Sequence, residues 1–178
     1  MNTLRIHDKT FKPYLSEQAI REKVNELAIT LNRDYAGKNP IFIAILNGAF
    51  IFAADLFKFL SIDAEISFIK LASYKGMKSS GQVLTAIGLD MELFDRHVVI
   101  LEDIVDTGKT LYEFLPQLLH QQPASLKIVA LLHKMDAKRY PVPVDYTGFE
   151  IPDTFVVGYG LDYNGLGRNT AAIYQLFE

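Results

Sequence analysis

Short apolar runs that are rich in β-branched residues alternate along this chain with stretches of helical pattern. The clearest runs are IFIAIL at 41–46, HVVIL at 97–101 and LKIVALL at 126–132, with further strand-like segments at 63–71 and 154–158. Strands buried on both faces have this continuous apolar character, because crossover helices cover both sides of a parallel sheet. The alternation therefore predicts an α/β fold in which a mostly parallel sheet of about five strands lies between helices.

The stretches between these runs predict the covering helices. The first extends from Ser16, placed as its N-cap, to Gly37 at its end, and its apolar residues recur at helical spacing: Ile20, Val24, Leu27, Ala28 and Leu31. A second helix follows the first run, and a third is expected after Thr107, where Pro116 should kink or divide it. The segment ASYKGMKSSGQV, at 72–83, is rich in Gly, Ser and Lys and predicts a mobile loop.

Composition restricts the classes of function. The 178 residues are 49% hydrophobic, which fits one compact domain spanning 1–178, and no cysteine is available for a disulfide or a thiolate metal site. The formal net charge is −3 and no basic cluster is present, so we expect no nucleic-acid partner. The apolar stretch at 41–60 is interrupted by polar residues, and the N-terminal segment lacks a signal-peptide pattern. We therefore expect a cytoplasmic protein that does not enter a membrane.

The most informative segment is VVILEDIVDTGKT at 98–110, where an apolar strand leads directly into carboxylates and then into a helix start. Ligands of open α/β sheets bind beyond the carboxyl ends of the strands. Glu102 and Asp103 would project to different sides and could hold vicinal hydroxyls or Mg²⁺. The turn from Asp106 to Thr110 offers backbone N–H groups, two threonine hydroxyls and a helix N-terminus, all of which suit a phosphate. The segment therefore predicts a site for a ribose 5-phosphate.

The GKT triplet at 108–110 permits a second interpretation, as part of an ATP- or GTP-binding phosphate loop. That motif requires a glycine five positions before Gly108, and the residue there is Asp103. The glycine-rich cradle is absent and three carboxylates crowd the turn instead, which disfavours a nucleoside triphosphatase. A purely structural interpretation, in which acidic residues end a solvated strand and threonines cap a helix, explains poorly why seven residues, six polar ones and a glycine, cluster directly after a core strand.

The segment EDIVDTGKT resembles the phosphoribosyl pyrophosphate signature of the type I phosphoribosyltransferases, and specifically of their hypoxanthine-guanine branch. The resemblance extends, in the order of that family, to LNGAFIFAADL, to Ser73 and Tyr74, to VALLHK and to GFEIPDTFVVGYGLDYN, and it spans about 41–168. It implies the type I phosphoribosyltransferase fold, a parallel central sheet flanked by helices with a small hood subdomain. The implied ranges are about 38–154 for the core, and about 1–15 with 155–178 for the hood.

The resemblance also implies roles in binding phosphoribosyl pyrophosphate. Glu102 and Asp103 are implied to hold the ribose hydroxyls, partly through Mg²⁺, and Asp162 is the third implied metal residue. The other residues implied to bind the phosphoribosyl group are Thr107, Gly108, Lys109 and Thr110. Those implied to bind pyrophosphate are Leu46, Asn47, Gly48 and Arg168, with a non-proline cis peptide bond before Asn47. Many relatives carry lysine or arginine at that position, so the Asn47 side chain brings no charge to this contact.

The implied purine site consists of Lys134, Phe155, Val156 and Asp162. Lys134 donates to the oxygen at purine C6, which favours a 6-oxopurine over adenine. Phe155 stacks on the base, Val156 offers backbone contacts to its edge, and Asp162 lies near it. The resemblance thus implies a site for a 6-oxopurine.

The resemblance implies one catalytic residue and a lid. Asp106 matches the position that accepts the proton from purine N7 while N9 attacks the anomeric carbon. Ser73 and Tyr74 match the start of a lid that closes over the site and excludes water.

The implied reaction belongs to purine salvage: a hypoxanthine phosphoribosyltransferase, which also uses guanine, forms the nucleoside monophosphate and pyrophosphate. Two alternatives stay open, a xanthine-preferring enzyme and a regulator that binds phosphoribosyl pyrophosphate without catalysis. Recognition at purine C2 depends largely on backbone geometry, which a sequence does not display. Retention of Asp106, Lys134 and the Ser73–Tyr74 pair argues against the regulator. Family membership also implies a homodimer or homotetramer.

Overall fold

The computed structural model describes residues 3–73, 83–87 and 89–177 of the chain. These residues form two sheets, three α-helices and a short 3₁₀ helix at Met135–Ala137. The elements in chain order are β1 (Leu4–Ile6), β2 (Lys9–Leu15), α1 (Glu17–Asp34), β3 (Ile41–Leu46), α2 (Phe50–Phe59), β4 (Glu65–Ser73), β5 (Val83–Ile87), β6 (His97–Val105), α3 (Lys109–Leu119), β7 (Ser125–Lys134), β8 (Tyr146–Ile151), β9 (Val156–Val157) and β10 (Ile173–Leu176).

The larger sheet has six strands in the order β5-β4-β3-β6-β7-β8. The five strands β4, β3, β6, β7 and β8 are parallel, and β5 pairs antiparallel with β4 at one edge. The predicted parallel sheet of about five strands between helices is therefore confirmed. The strand predicted at 154–158 was assigned wrongly to this sheet, because only Val156–Val157 is a strand and it lies in the second sheet. Strand β8, which was not predicted, is the fifth parallel strand of the larger sheet.

The helices follow the sequence pattern with two differences. Ser16 caps α1 as predicted, since its Oγ accepts a hydrogen bond at 3.1 Å from a backbone N–H of the first turn. The helix ends at Asp34, before Gly37, whose φ of +71° belongs to the following turn. Helix α3 is not divided at Pro116. The proline lies exposed in the last turn, where its only effect on the hydrogen bonds is the loss of its own N–H donor. The Pro116 carbonyl still accepts from the His120 N–H at 3.0 Å.

The larger sheet is covered on both faces. Helices α1 and α2 pack on one face, where Val24, Phe52 and Leu101 are buried together. Helix α3 packs on the other face, where Ile100 and Phe114 are buried. Consecutive residues of β6 therefore enter opposite layers, which explains why the strand is apolar without alternation. No helix in the described ranges is long and apolar enough to span a bilayer.

The second sheet joins the two ends of the chain. Its order is β1-β2-β10-β9 with antiparallel pairing, and it buries Ile6, Phe11 and Val157. It is built from the N-terminal segment and the segment after β8, the regions that the predicted hood comprises. The boundaries between core and hood stay a prediction.

Candidate active site

The strand order opens a crevice beside β3. The chain passes from β3 to β4 on one side and then crosses back to β6 on the other side of β3. At such a switch point the loops that follow the two central strands run in opposite directions, and ligands of α/β sheets bind between them. The opening here lies between the segment after β3 and the carboxyl end of β6. These are the two places where the sequence predicts site residues.

The first carboxylates of the site lie within β6 rather than after it. The strand was predicted to end at Leu101, whereas β6 continues to Val105 and still pairs there with β7. Neighbouring side chains of a strand point to opposite faces. Glu102 accordingly lines a small cavity of about 90 Å³ beside the turn at 107–110, and Asp103 lines a larger cavity of about 340 Å³.

Burial makes both carboxylates harder to ionise. Burial first, and then repulsion from Asp103, raises the pKa of Glu102 well above its ordinary value. Burial also raises the pKa of Asp103 from 3.8 to about 6; the charge of Asp162 adds to this rise, whereas the Ile104 N–H and Arg168 oppose it. A divalent cation beside these oxygens would favour their ionised forms.

The turn after β6 presents a helix N-terminus to the small cavity. Gly108 has a φ of +80°, which favours glycine, and α3 begins at the next residue. The carbonyl of Thr107 accepts hydrogen bonds from the N–H groups of Arg139 and Tyr140, which hold the turn in place. Five of the residues predicted to bind the phosphoribosyl group line this cavity together: Glu102, Thr107, Gly108, Lys109 and Thr110. An anion here would meet the N-terminal N–H groups of α3, the first of which, from Lys109, donates to Thr107 Oγ1 at 3.3 Å.

The segment after β3 lies directly against Asp103. The peptide bond between Leu46 and Asn47 is cis, as predicted. A Cβ added to Gly48 would overlap the Asp103 carboxylate, and a Cβ added to Gly160 would overlap the Gly48 carbonyl. Glycine at both positions therefore permits three chain segments to meet at the switch point.

Lys134 brings a buried cation to the larger cavity. Only 7% of its side chain is exposed, and its Nζ donates to Asp106 Oδ2 at 3.0 Å and to Asp153 Oδ1 at 3.1 Å. Phe155, which is 44% exposed, and Val156 line the same cavity. An accessible aromatic ring near a fixed donor suits a flat heterocycle that carries a hydrogen-bond acceptor.

Asp162 and Arg168 reach the larger cavity as a pair. Arg168 Nη2 lies 2.6 Å from Asp162 Oδ1, and Arg168 Nη1 donates to the Gly160 carbonyl at 2.6 Å. Asp162 Oδ2 also accepts from the Gly165 N–H at 2.7 Å. The four predicted base-site residues therefore share one cavity with two of the predicted pyrophosphate-site residues, Gly48 and Arg168, whereas Leu46 and Asn47 are not part of its lining.

Comparison with known proteins identifies the family to which this site belongs. A family model described as the phosphoribosyl transferase domain matches residues 12–164. The chain belongs to the phosphoribosyltransferase family. The resemblance found in the motifs is thus confirmed.

Individual phosphoribosyltransferases match nearly the whole chain. The hypoxanthine-guanine-xanthine phosphoribosyltransferase of Tritrichomonas foetus is 39% identical over 164 residues, covering 92% of this chain and 90% of the relative. The hypoxanthine-guanine phosphoribosyltransferase of Aquifex aeolicus is 39% identical over 173 residues, covering 96% and 97%. A crystal structure of a hypoxanthine phosphoribosyltransferase from Staphylococcus aureus has a TM-score of 0.89 at 36% identity, covering 99% of this chain and 98% of that chain.

The predicted metal residues of this phosphoribosyltransferase do not form a cage of protein ligands. Within the described ranges, no three His, Cys, Asp or Glu side chains lie close enough to hold a metal ion. Asp162 is already paired with Arg168. Glu102 and Asp103, however, offer hard oxygen ligands whose repulsion a cation would relieve. Mg²⁺ commonly binds through one or two carboxylates together with substrate phosphates, so these residues fit an ion that arrives with a phosphorylated substrate.

The structure describes one of the two residues that are predicted to begin the lid of the phosphoribosyltransferase. Ser73 is the last residue of β4, and Tyr74 lies outside the described residues. Sequence reasoning missed Asp153, which contacts Lys134 from the segment after β8. It missed this residue because it missed β8; once that strand is known, the position just past its carboxyl end indicates a site residue.

Proposed function

We propose that this protein is a hypoxanthine phosphoribosyltransferase of purine salvage. It transfers the 5-phosphoribosyl group of phosphoribosyl pyrophosphate to N9 of hypoxanthine, and of guanine, and releases pyrophosphate. The observation that carries the proposal is the larger cavity, in which the Lys134 ammonium and the accessible Phe155 ring lie with Asp103 and Asp106. The relatives named for hypoxanthine and guanine support the same choice of base.

The donor occupies both cavities in this proposal. The 5-phosphate binds in the small cavity, where the turn supplies backbone N–H groups, two hydroxyls and a lysine. Glu102 and Asp103 bind the ribose hydroxyls and would hold Mg²⁺ together with oxygens of the donor, and Asp162 would join them once Arg168 has left it. The bound ion would supply positive charge for the departing pyrophosphate. The pyrophosphate binds to the backbone of Leu46, Asn47 and Gly48 and to the guanidinium of Arg168. Arg168 reaches it by exchanging its contact with Asp162.

The base binds between Phe155 and Lys134. Phe155 stacks on the purine, the Val156 backbone binds its edge near Asp162, and Lys134 donates to the oxygen at C6. Asp106 accepts the proton from N7 as N9 bonds to the anomeric carbon. The bond from that carbon to the pyrophosphate oxygen breaks, and its electron pair leaves with pyrophosphate. The lid at Ser73 and Tyr74 excludes the water that would otherwise attack the same carbon.

Xanthine is a second candidate base. The Tritrichomonas foetus relative is named for xanthine as well as for hypoxanthine and guanine. Xanthine has the same oxygen at C6 and differs at C2, the edge that faces the Val156 backbone in this proposal. Lys134 therefore does not discriminate against it.

Location and assembly follow from the same proposal. Phosphoribosyl pyrophosphate and the nucleotide product are highly charged and do not cross a bilayer unaided, which favours the cytoplasm. Family membership favours a homodimer or homotetramer, and light scattering of the purified protein tests this.

The test of function mixes the purified protein with Mg²⁺ and phosphoribosyl pyrophosphate and follows nucleotide formation spectroscopically with five bases: hypoxanthine, guanine, xanthine, adenine and uracil. We expect turnover of hypoxanthine and guanine but not of adenine, because Lys134 has no acceptor at the 6-amino group. Preference for xanthine would favour the second candidate. Binding of the donor without turnover of any base would indicate the non-catalytic regulator and contradict the proposal.

A further inference from the structure

Lys134 is held between carboxylates that come from two different strands. Asp106 follows β6 on one side of β7, and Asp153 follows β8 on the other side. The Nζ of Lys134 is 3.0 Å from Asp106 Oδ2 and 3.1 Å from Asp153 Oδ1. In the described part of the chain these are the acceptors that its ammonium contacts. The direction of the ammonium therefore depends on both carboxylates.

A single carboxylate would not balance the charge of Lys134 throughout the proposed reaction. Asp106 becomes neutral when it accepts the proton from the base, and at that moment it ceases to balance the charge of Lys134. The lysine side chain is only 7% exposed, so water compensates little of this charge. The proposed reaction transfers no proton to or from Asp153, so its carboxylate stays available beside the ammonium throughout.

We propose that Asp153 is a positioning residue, which aims the Lys134 ammonium at the oxygen on purine C6 and balances its charge while Asp106 is protonated. This inference rests on the proposed function. Asp153 acts through Lys134 and does not itself contact the base. When a purine enters, Lys134 exchanges its bond to Asp106 for one to the substrate and keeps its bond to Asp153.

Ion pairs between exposed side chains contribute little to stability, and the Asp153 side chain is 66% exposed. The pair with Lys134 differs because its cation is buried. Removal of one partner of a buried cation leaves a charge that is poorly solvated. The effect is therefore expected in catalysis, where the second partner is neutralised, more than in the stability of the resting protein.

Three variants test the inference in the same steady-state assay, with hypoxanthine and phosphoribosyl pyrophosphate each varied. Asp153→Asn removes the charge, and Asp153→Glu restores it on a side chain that has room because the position is exposed. Asp136→Asn removes a charge from the short turn that follows Lys134. Asp136 is exposed, and no hydrogen bond or ion pair joins it to another described residue.

We expect Asp153→Asn to lower kcat/KM for hypoxanthine by about 10-fold to 100-fold, the range for loss of a hydrogen bond to a charged group. The KM for phosphoribosyl pyrophosphate and the midpoint of thermal unfolding should stay near the wild-type values. Asp153→Glu should recover most of the activity, and Asp136→Asn should behave as wild type.

A kcat/KM of Asp153→Asn within about twofold of wild type would overturn the inference and leave the proposed function intact, as would equal losses in the Asn and Glu variants. A similar rise in KM for both substrates would also overturn it, because that result indicates a general structural role. Wild-type protein that forms no nucleotide from any base would overturn both the inference and the proposed function.

Discussion

Asp103→Asn is expected to stabilise the substrate-free protein above about pH 6 while impairing its activity. Asp103 is an ionisable group in a partly buried position, and burial is the main reason for its raised pKa. Asparagine has nearly the same shape, and its side-chain oxygen still accepts the hydrogen bond that Asp103 Oδ1 accepts from the Ile104 N–H at 2.9 Å. The substitution therefore removes the charge and keeps the local packing.

The magnitude and sign follow from the pKa of Asp103. A rise from 3.8 to about 6 corresponds to about 3 kcal/mol against the folded state once the carboxylate is ionised. Asp103 is partly accessible to water and titrates together with Glu102, so we expect a measured gain of about 1–2 kcal/mol. Because the folded state holds the proton more tightly than the unfolded chain, wild-type stability falls as the pH rises from about 4 to about 6. The variant lacks this fall at position 103.

Urea unfolding measures the difference in free energy of unfolding between the two proteins. The measurement is made at about pH 4 and about pH 8, with a chelator present and without substrate. The variant should be more stable at the higher pH and nearly equal at the lower one. Asp136→Asn, which removes an exposed charge, should change little at either pH. A variant that is no more stable than wild type at about pH 8, or that gains equally at both values, would refute the role assigned to burial.

Two further predictions concern contacts between distant segments. Gly48→Ala should lower nucleotide formation by about 100-fold, because the added Cβ displaces Asp103 or the loop. Gly37→Ala, whose Cβ would meet nothing within 4 Å, should keep its activity and lose only stability, because a φ of +71° strains an alanine. Equal rates of the two variants in a steady-state assay would contradict this. Tyr159→Phe should lower the free energy of unfolding by about 1–2 kcal/mol, since the hydroxyl of buried Tyr159 donates to Asp55 at 2.8 Å. The matched change Tyr174→Phe should be neutral in urea unfolding, and similar losses in the two variants would contradict the assignment.

Much of the donor site could be predicted from sequence because its residues are close together along the chain. The segment 102–110 contains two strand carboxylates, a turn glycine and a helix start, and these features place one another through local geometry. The structure groups five of the predicted phosphoribosyl-binding residues around a single small cavity, whereas Asp103 lines the other one. What the segment did not indicate was the length of β6, because pairing with β7 extends the strand through charged residues that would otherwise end it.

The base side was predictable in part only. Lys134, Phe155 and Val156 were found through resemblance, since a lysine after a strand and an aromatic residue carry no local signal of a binding site. Asp153 was missed because the strand that precedes it, YTGFEI, contains polar residues and is only partly buried, and so lacks the continuous apolar run of β3 or β7.

The sequence by itself determined the α/β class, the first helix with its cap, and the turn that is proposed to bind phosphate, because each of these depends on residues within a few positions of one another. The tertiary structure alone decided which segments meet. The ion pairs of Lys134 with Asp106 and Asp153 join residues 28 and 19 positions apart, and Gly160 meets Gly48 across most of the chain. These contacts depend on the order of the strands in the sheet, and apolar periodicity specifies which residues are buried but not which strands are neighbours.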